Sequence, residues 1–415
     1  MSSPRKPLHL FEAYGVEMEY MIVKNDTLEI LPITDKVIYD VAGKFDSDVE
    51  FDDMAWSNEL VLHVIELKTN GPAKTMEGLP HRFQAQVDHI NKLLEKYNAR
   101  LLGSGAHPFM DPYKEMCLWP HEYNQIYEAY NKIFDCRGHG WANLQSTHLN
   151  LPFANDEEFG KLHAAIRILL PLIPALSASS PILDNKISGA ADTRLQVYIE
   201  NQKQVPSIAG KVIPERVFSQ AEYESKIFKK IYADIAPYDE DEILREQFLN
   251  SRGAIARFDR GAIEIRIIDI QECPQADIAV LSAVVETLKA LVAEKWTSLD
   301  EQKKWHENDL AEIFWNVVKD GQQAVIENGE YLKLFGYTKA EKCTALELWQ
   351  YLYAEVLAAN ISEESTRKAL TFILENDTLS ARIVKALKGN EAPDNIKNVY
   401  EKLTVCLKEG KQFLA

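Results

Sequence analysis

The periodicity of the apolar residues changes near residue 275, and this change limits the folds open to the chain. Before it, segments in which apolar and polar residues alternate are mixed with helical ones, and the clearest alternating segment is GAIEIRIIDI at 261–270. Alternation with a period of two predicts β-strands, whereas the spacing from 276 to 415 is helical almost throughout. Because the strand patterns are confined to the part of the chain before residue 275, we expect an α+β fold. Residues 1–275 would form a sheet region and residues 276–415 a helical region. No linker rich in Pro or Gly separates them, so we expect the two to pack as one continuous domain.

The charge balance restricts the partners. The 415 residues include 63 acidic and 46 basic ones, which gives a formal net charge of −17. Binding to a nucleic-acid duplex or to an anionic membrane requires a positive surface, so the sequence argues against both. It also lacks the run of about 20 apolar residues that crosses a bilayer. An anionic nucleotide could still bind, with a metal ion bridging the repulsion.

The five cysteines are spread thinly, and no two of them form a C-x-x-C pair. This spacing argues against a zinc or redox motif, and the odd count argues against a disulfide scaffold. The first residues, MSSPRKPLHLFEAYG, lack the apolar segment of a secretory signal. We therefore expect a cytoplasmic protein.

Two carboxylates lie two residues apart in a predicted strand at 12–23. Side chains at that spacing share one face of a strand, so Glu17 and Glu19 would lie side by side. Like charges in that position repel each other unless a cation lies between them. The sequence leaves two interpretations open, a pair of metal ligands or two glutamates on a solvent-facing edge.

A second segment, LVLHVIELK at 60–68, is also predicted to be a strand. Glu66 and Lys68 share a face with apolar residues, so the Glu66 carboxylate needs a partner, either Lys68 or a metal. Glu59 would lie on the opposite face of a straight strand. It could join Glu66 only from a preceding turn or bulge.

Two further strands carry polar pairs. In 261–270, Glu264 and Arg266 share a face, as an ion pair or as a metal ligand beside a guanidinium that holds phosphate. In QSTHLNL at 145–151, His148 and Asn150 share a face, although a lone histidine on a strand is more often a hydrogen-bonded polar group than a ligand. Together these residues are the hard oxygen and imidazole donors that suit Mg²⁺ or Mn²⁺.

Six motifs occur in an order that resembles glutamate–cysteine ligase family 2, the bacterial and archaeal carboxylate–amine ligases of the glutamine synthetase-like superfamily. The resemblance covers about residues 12–275. It is carried by the segments GVEMEY, HVIELKT, GSGAHPF, STHLNLPF, PALSASSP followed by DTRLQVY, and IEIRIIDIQ.

This resemblance implies an antiparallel, partly closed sheet that forms a funnel with acidic residues inside, covered by helices. It also implies that ATP phosphorylates a substrate carboxylate and that an amine then displaces the phosphate, giving an amide. Glutamate and cysteine are the default substrates. The implied partners are small amino acids or amines and ATP, and a homo-oligomer is compatible with the sequence.

The resemblance also assigns roles to residues. Arg266 would stabilise the transferring phosphoryl group, with Glu66 and Glu264 beside it, and Arg194 would bind the amino-acid carboxylate unless it is a surface arginine in a loop. Arg257 and Arg260, with Arg252 nearby, are candidates to face the nucleotide. The implied ligands of two or three Mg²⁺ (or Mn²⁺) ions are Glu17, Glu19, Glu59, Glu66, His148 and Glu264.

Departures from the family pattern keep other functions open. Ala106 stands where the family usually has Thr, and Ser179 where it usually has Asn. The alternatives are phosphoryl transfer to another small acceptor, glycoside hydrolysis by paired carboxylates without a nucleotide, and a non-enzymatic acidic metal-binding protein.

A group of aromatic residues has near-helical spacing. This spacing is more typical of a buried helix face than of a platform for stacking bases, so we expect these residues in the core. They are Trp119, Tyr123, Tyr127 and Tyr130.

Overall fold

An antiparallel sheet forms the centre of the molecule. The computed structural model of the chain describes residues 6–415. Its main sheet has eight strands, and helices cover it, so the expected mixture of helices with an antiparallel sheet is confirmed. The strands are β1 (Gly15–Lys24), β2 (Asp48–Glu50), β3 (Met54–Asn58), β4 (Val64–Thr69), β5 (Ala99–Leu102), β6 (Ser146–Pro152), β7 (Ala254–Arg257) and β8 (Ala262–Asp269).

The strand order places β1 at the centre of this sheet. The order is β2-β3-β4-β1-β6-β8-β7, and β5 pairs with the C-terminal half of β1 beyond β6. Every pairing in this sheet is antiparallel. The polar strands predicted from the sequence, β1, β4, β6 and β8, are therefore consecutive neighbours.

The two faces of β1 differ in character. Val16, Met18 and Tyr20 are fully buried and belong to the main hydrophobic core, whereas the residues between them face the other side. The longer helices are α1 (Thr34–Ala42), α2 (Leu79–Leu94), α3 (Asn124–Phe134), α4 (Asp156–Leu169), α5 (Pro274–Val292), α6 (Glu307–Asp320), α7 (Ala345–Leu352), α8 (Glu364–Asn376), α9 (Leu379–Leu387) and α10 (Pro393–Glu409). The shorter ones are Pro112–Glu115, His139–Ala142, Pro174–Ser177, Thr193–Tyr198, Gln220–Tyr223, Lys229–Ile235, Leu299–Lys304, Gly329–Lys333 and Ala358–Asn360.

Local signals in the sequence account for the ends of several helices. The Asn155 side chain accepts a hydrogen bond from the backbone N–H of Glu158 at 3.0 Å and caps α4. Pro274 opens α5, where a missing N–H costs nothing. The Thr344 side chain and Glu347 form a reciprocal capping box at the start of α7.

Helix α5 connects the regions before and after residue 275. It packs against α4 and α2 from the first part of the chain and against α8 from the second. Buried residues from both parts form one continuous hydrophobic core. The helical region also contains one small strand pair that the periodicity did not predict, Val325–Ile326 with Cys343–Thr344. Within residues 6–415, every helix is too short or too polar to cross a bilayer.

Candidate functional site

The register of the central strands brings the predicted carboxylates together. On β1, Glu17 lies opposite Lys68 of β4 and His148 of β6, and Glu19 lies opposite Glu66 of β4. Residues directly opposite each other in an antiparallel pair share a face. These five side chains therefore lie on one face of the sheet, away from the core.

Glu59 reaches the same cluster from outside the sheet. The strand predicted over 60–68 begins only at Val64, because β3 ends at Asn58 and a turn intervenes. One carboxylate oxygen each of Glu19, Glu59 and Glu66 lie within 4.8 Å of one another. The structure thus has Glu59 in the preceding turn, the arrangement that allows it to join Glu66.

A second group of potential ligands overlaps the first. One ligand atom each of Glu17, Glu66 and His148 also lie within 4.8 Å of one another, so Glu66 is common to both groups. The His148 Nδ1 lies 3.0 Å from Glu17 Oε2 and 3.8 Å from Glu264 Oε1, and its Nε2 lies 3.7 Å from Glu19 Oε1. The predicted metal ligands thus converge on His148 and Glu66.

Burial and charge change the pKa values in this cluster. Burial alone lowers the pKa of His148, but the hydrogen bond with Glu17 and the charges of Glu19 and Glu264 outweigh burial and raise the pKa to about 9. Burial raises the pKa of Glu19, and the charge of Glu66 adds to it although His148 opposes it. Burial, with the charges of Glu19 and Glu66, holds the pKa of Glu59 well above its ordinary value.

The donor set fits a hard divalent cation. Crowded carboxylates that resist ionisation are relieved by a cation placed between them, and carboxylate oxygens with one imidazole are donors that Mg²⁺ and Mn²⁺ accept. The alternative partner for Glu66 is also present, because Lys68 Nζ lies 3.0 Å from Glu66 Oε1. Ser57 Oγ donates to the same oxygen at 2.6 Å.

Two arginines flank Glu264, Arg266 on the same strand β8 and Arg257 on the adjoining strand β7. The Arg266 Nη2 lies 3.2 Å from Glu264 Oε1, and the Arg257 Nη1 lies 3.8 Å from Glu264 Oε2. Burial raises the pKa of Glu264, but the charges of Arg266, His148 and Arg257 outweigh it, so the pKa is lowered. The surroundings of Glu264 therefore favour its ionised form, in contrast to those of Glu19 and Glu59.

The remaining arginines of this segment have different surroundings. Arg260 is exposed in the turn between β7 and β8, with its Nε 3.8 Å from Asp259 Oδ2. Arg252 is buried and forms a bidentate ion pair with Glu215, with both N–O distances at 2.6 Å. Arg252 therefore serves the packing of the fold, and Arg257 is the arginine of this segment nearest to the carboxylate cluster.

Arg194 lies in the interior, so the alternative of a surface arginine in a loop is wrong. It is 2% exposed near the start of the short helix Thr193–Tyr198, and its Nε donates to Asp269. Asp269 also accepts from the backbone N–H of Ser179 at 2.8 Å and from Ser180 Oγ at 2.7 Å. A Cβ at Gly105 would lie 2.5 Å from this carboxylate, so only glycine fits there.

A β-bulge explains why the sequence did not reveal Asp269 as part of this face. The pairing of β8 with β6 shifts by one residue between Ile265 and Ile268. Beyond the shift, Asp269 lies opposite Ser146, which shares a face with His148. Straight alternation from Glu264 would have placed Asp269 on the core side.

A cleft opens beside the carboxylate cluster. Its volume is about 380 Å³, and Glu19, Glu59, His148 and both Arg194 and Arg266 contribute to its lining. Much of the remaining lining is aromatic, from Tyr123, Tyr127, Tyr130, Trp141, Tyr198 and Phe248.

The prediction that the four aromatic residues belong to the core holds for only part of the set. Trp119 is fully buried, and Tyr130, 8% exposed, belongs to the main core while it also borders the cleft. Tyr123, by contrast, is 54% exposed and lines the cleft with Tyr127. The helix begins at Asn124, so the near-helical spacing corresponds to a face of α3 for Tyr127 and Tyr130 alone. Periodicity alone could not tell whether that face meets the core or a cavity.

Comparison with known proteins identifies the family. The sequence profile of glutamate–cysteine ligase family 2 matches residues 13–400. The chain belongs to this family. The resemblance found in the six sequence motifs is thereby confirmed, and the match extends well beyond residue 275 into the helical region.

Relatives in sequence carry different names. An uncharacterised protein of Archaeoglobus fulgidus is 36% identical over 280 residues, which are 68% of this chain and 75% of the relative. A protein of Corynebacterium glutamicum named "Putative glutamate--cysteine ligase 2" is 25% identical over 341 residues, 78% of this chain and 77% of its own length. One of Rubrobacter xylanophilus with a similar name is 27% identical over 188 residues, 44% of this chain and 47% of its own length.

Two solved structures share the fold at low sequence identity. A bifunctional glutathione synthetase from Pasteurella multocida aligns with a TM-score of 0.62 and 13% identity, over 96% of this chain but 53% of that one. This chain therefore spans about half of that protein. A glutamate–cysteine ligase from Francisella tularensis, solved in complex with AMP, aligns with a TM-score of 0.59 and 12% identity over 95% of this chain and 88% of its own.

Proposed function

We propose that the protein is an ATP- and Mg²⁺-dependent carboxylate–amine ligase that forms an amide through an acyl phosphate, with glutamate and cysteine as the default substrates. The observation that carries the proposal is the pair of overlapping ligand groups that share Glu66, on the sheet face that also holds Arg266. Family membership supports the ligase class. We also propose that the sheet is the partly closed funnel of the glutamine synthetase-like fold.

The proposed ligands divide into two groups. Glu17, Glu66 and His148 would hold one ion, and Glu19 and Glu59 would hold a second together with the shared Glu66. Bound Mg²⁺ would neutralise phosphate oxygens and let the nucleotide approach an otherwise acidic surface. His148 must then release its proton, because only the neutral ring can act as a ligand.

The cationic residues have separate tasks in the proposal. Arg266 would stabilise charge on the transferring phosphoryl group, next to Glu264, which holds its guanidinium in place. Arg257, and more peripherally Arg260, would contact the nucleotide. Arg194 would orient the carboxylate of the acid substrate, since Asp269 fixes one edge of its guanidinium.

The reaction would proceed in two balanced steps. An oxygen of the substrate carboxylate attacks the γ-phosphorus of ATP, and ADP leaves. The amine nitrogen then attacks the carbonyl carbon of the acyl phosphate, a C–N bond forms, and the C–O bond to phosphate breaks. The amine proton leaves with the products, which are an amide, ADP and phosphate.

The test is phosphate release from ATP in the presence of Mg²⁺, screened across pairs of acids and amines, with glutamate plus cysteine first. Release that requires both members of a pair supports the proposal. Release with an acid or a guanidino compound alone, without an amide product, favours phosphoryl transfer on the same scaffold. Absence of release with every pair, together with absence of an ATP-dependent shift in Tm, favours a metal-binding protein and refutes the ligase.

A further inference from the structure

The two ends of the carboxylate cluster differ in their surroundings. Arg257 lies close to Glu264, at the end of the cluster where β7 turns into β8. At this end Asn150 of β6 lies between Gly15 of β1 and Glu264 of β8. The cleft lies at the other end, where Glu19 and Ser146 contribute to its lining. The function proposed above assigns the nucleotide to the end with Arg257 and Arg260, so the cleft, which Arg194 and Arg266 line, is left for the organic substrates.

The cleft offers mostly uncharged, aromatic surface. Within residues 6–415, no lysine lines the cleft. Its two arginines already form ion pairs, Arg194 with Asp269 and Arg266 with Glu264. Its volume of about 380 Å³ falls within the range of about 300–1,000 Å³ that is usual for small-molecule sites. A small thiol such as cysteine would leave much of this aromatic surface without a contact.

The polar tips of three of these aromatic residues, Tyr127, Tyr198 and Trp141, are already occupied. Tyr127 Oη accepts from Asn58 Nδ2 at 3.0 Å, and Tyr198 Oη donates to the carbonyl of Ser251 at 2.9 Å. Trp141 Nε1 donates to a backbone carbonyl at 3.2 Å. Because these tips have partners, the rings contribute mainly apolar faces and edges to a ligand.

The rings come from two separate elements that flank the cleft. One side of the cleft is formed by Tyr127 and Tyr130 of α3 and by Tyr123, the residue directly before this helix. Trp141 lies on the short helix His139–Ala142. The Tyr130 and Trp141 ring centroids are 5.2 Å apart with the planes tilted by 53°. Tilted neighbours at this distance are the arrangement in which aromatic rings attract one another, so a further ring is favoured over an aliphatic chain.

We propose that the amine substrate of this enzyme carries an aromatic ring, which packs against Tyr123, Tyr127 and Tyr130 while its amino group points towards Glu59 and the acyl phosphate. The proposal rests on the ligase function proposed above. It replaces the default cysteine with a primary amine or amino acid of the phenylethylamine type. The bond chemistry is unchanged, with a C–N bond formed and phosphate released.

The experiment measures binding and turnover separately on the full chain. Calorimetry with Mg²⁺ present compares phenylethylamine, tyramine and phenylalanine with cysteine and isobutylamine, and phosphate release gives KM for each amine and for ATP. We expect the Kd of the best aromatic amine to be at least about tenfold lower than that of cysteine. A difference of this size is what one additional well-packed aromatic ring contributes to binding.

Matched variants identify the surface. Tyr127→Leu should weaken binding of the aromatic amine about tenfold, whereas Tyr127→Phe keeps the ring and should bind nearly as the wild type does. Tyr123→Asn should also weaken it, since asparagine tolerates the left-handed backbone at this position (φ 69°). Tyr113→Asn is the control, because Tyr113 is another exposed tyrosine, 69% accessible, that lies outside the cleft lining.

The outcomes separate the two proposals. Turnover with cysteine but with none of the aromatic amines overturns the ring preference and leaves the ligase intact. Saturable aromatic binding that Tyr127→Leu removes, with neither phosphate release for any acid–amine pair nor an ATP-dependent shift in Tm, supports the ring preference and refutes the ligase. If Tyr127→Leu raises KM for ATP and leaves amine binding unchanged, the cleft holds the nucleotide base and the inference is wrong.

Discussion

Protonated His148 should make the metal-free protein most stable on the acidic side of neutrality. Its imidazole is 10% exposed and lies between Glu17, Glu19 and Glu264, and these contacts raise its pKa to about 9 although burial opposes them. In the unfolded chain the pKa returns to about 6.5. The folded state therefore retains a proton that the unfolded state loses as the pH rises.

The sign and size of the effect follow from this difference. For a group whose pKa is raised in the folded state, the extra stability is complete below pH 6.5 and disappears as the pH rises through about 9. At about 1.4 kcal/mol per pH unit, the free energy of unfolding should fall by about 3 kcal/mol across this window. Saturating Mg²⁺ should reverse the trend, because the metal requires the neutral imidazole.

Urea unfolding in EDTA, followed by tryptophan fluorescence between pH 6 and 9.5, measures this effect as the difference between the wild type and His148→Gln. His163→Gln is the matched control. His163 is buried, and burial lowers its pKa to about 3, so the stability linked to it changes only as the pH falls below 6.5. If the wild type and His148→Gln lose stability in parallel from pH 6.5 to 9, the assignment of a proton to His148 in the folded state is refuted.

Three further predictions follow from the geometry of the site. Glu66→Gln should reduce turnover by at least about a hundredfold and abolish the Mg²⁺-dependent shift in Tm, because it removes the carboxylate common to both ligand groups; unchanged Mg²⁺ binding would contradict this. Asp269→Asn should lower the free energy of unfolding in urea by about 3–5 kcal/mol, since it leaves the Arg194 guanidinium buried without its counter-charge. Arg257→Ala should raise KM for ATP more than Arg260→Ala does, because Arg257 approaches the carboxylate cluster whereas Arg260 is exposed; equal effects would place neither at the nucleotide.

The alternation of residues in single strands was enough to predict the core of the candidate site. Glu17 and Glu19 share a face because they are two residues apart, and the same holds for Glu264 and Arg266. These strands are central and pair directly with one another, so the prediction for each strand also holds for the sheet. His148 joined them for the same reason, although as a single residue it was an unconvincing ligand.

The parts that the sequence could not predict depend on contacts between distant segments. Asp269 reaches the site face through a bulge, which is a mismatch between two strands and leaves no pattern in either one. Glu59 joins through the turn after β3, and the sequence 60–68 was equally compatible with a longer strand. The aromatic face of α3 has the same spacing whether it covers a core or borders a cleft.

This division between central strands and peripheral segments bears on how substrate specificity can change within such a family. The proposed metal ligands lie on β1, β4 and β6, with one in an adjoining turn, and Arg266 with Glu264 lies on the neighbouring β8. The positions on these strands are fixed by backbone hydrogen bonds across the sheet. The aromatic side of the cleft comes from α3 and short helices outside the sheet. Substitutions there can alter the shape of the cleft without moving a carboxylate, because these helices lie outside the backbone hydrogen bonds that join the strands of the sheet. We therefore expect members of the family to retain the phosphoryl-transfer residues while differing in the amine that they accept.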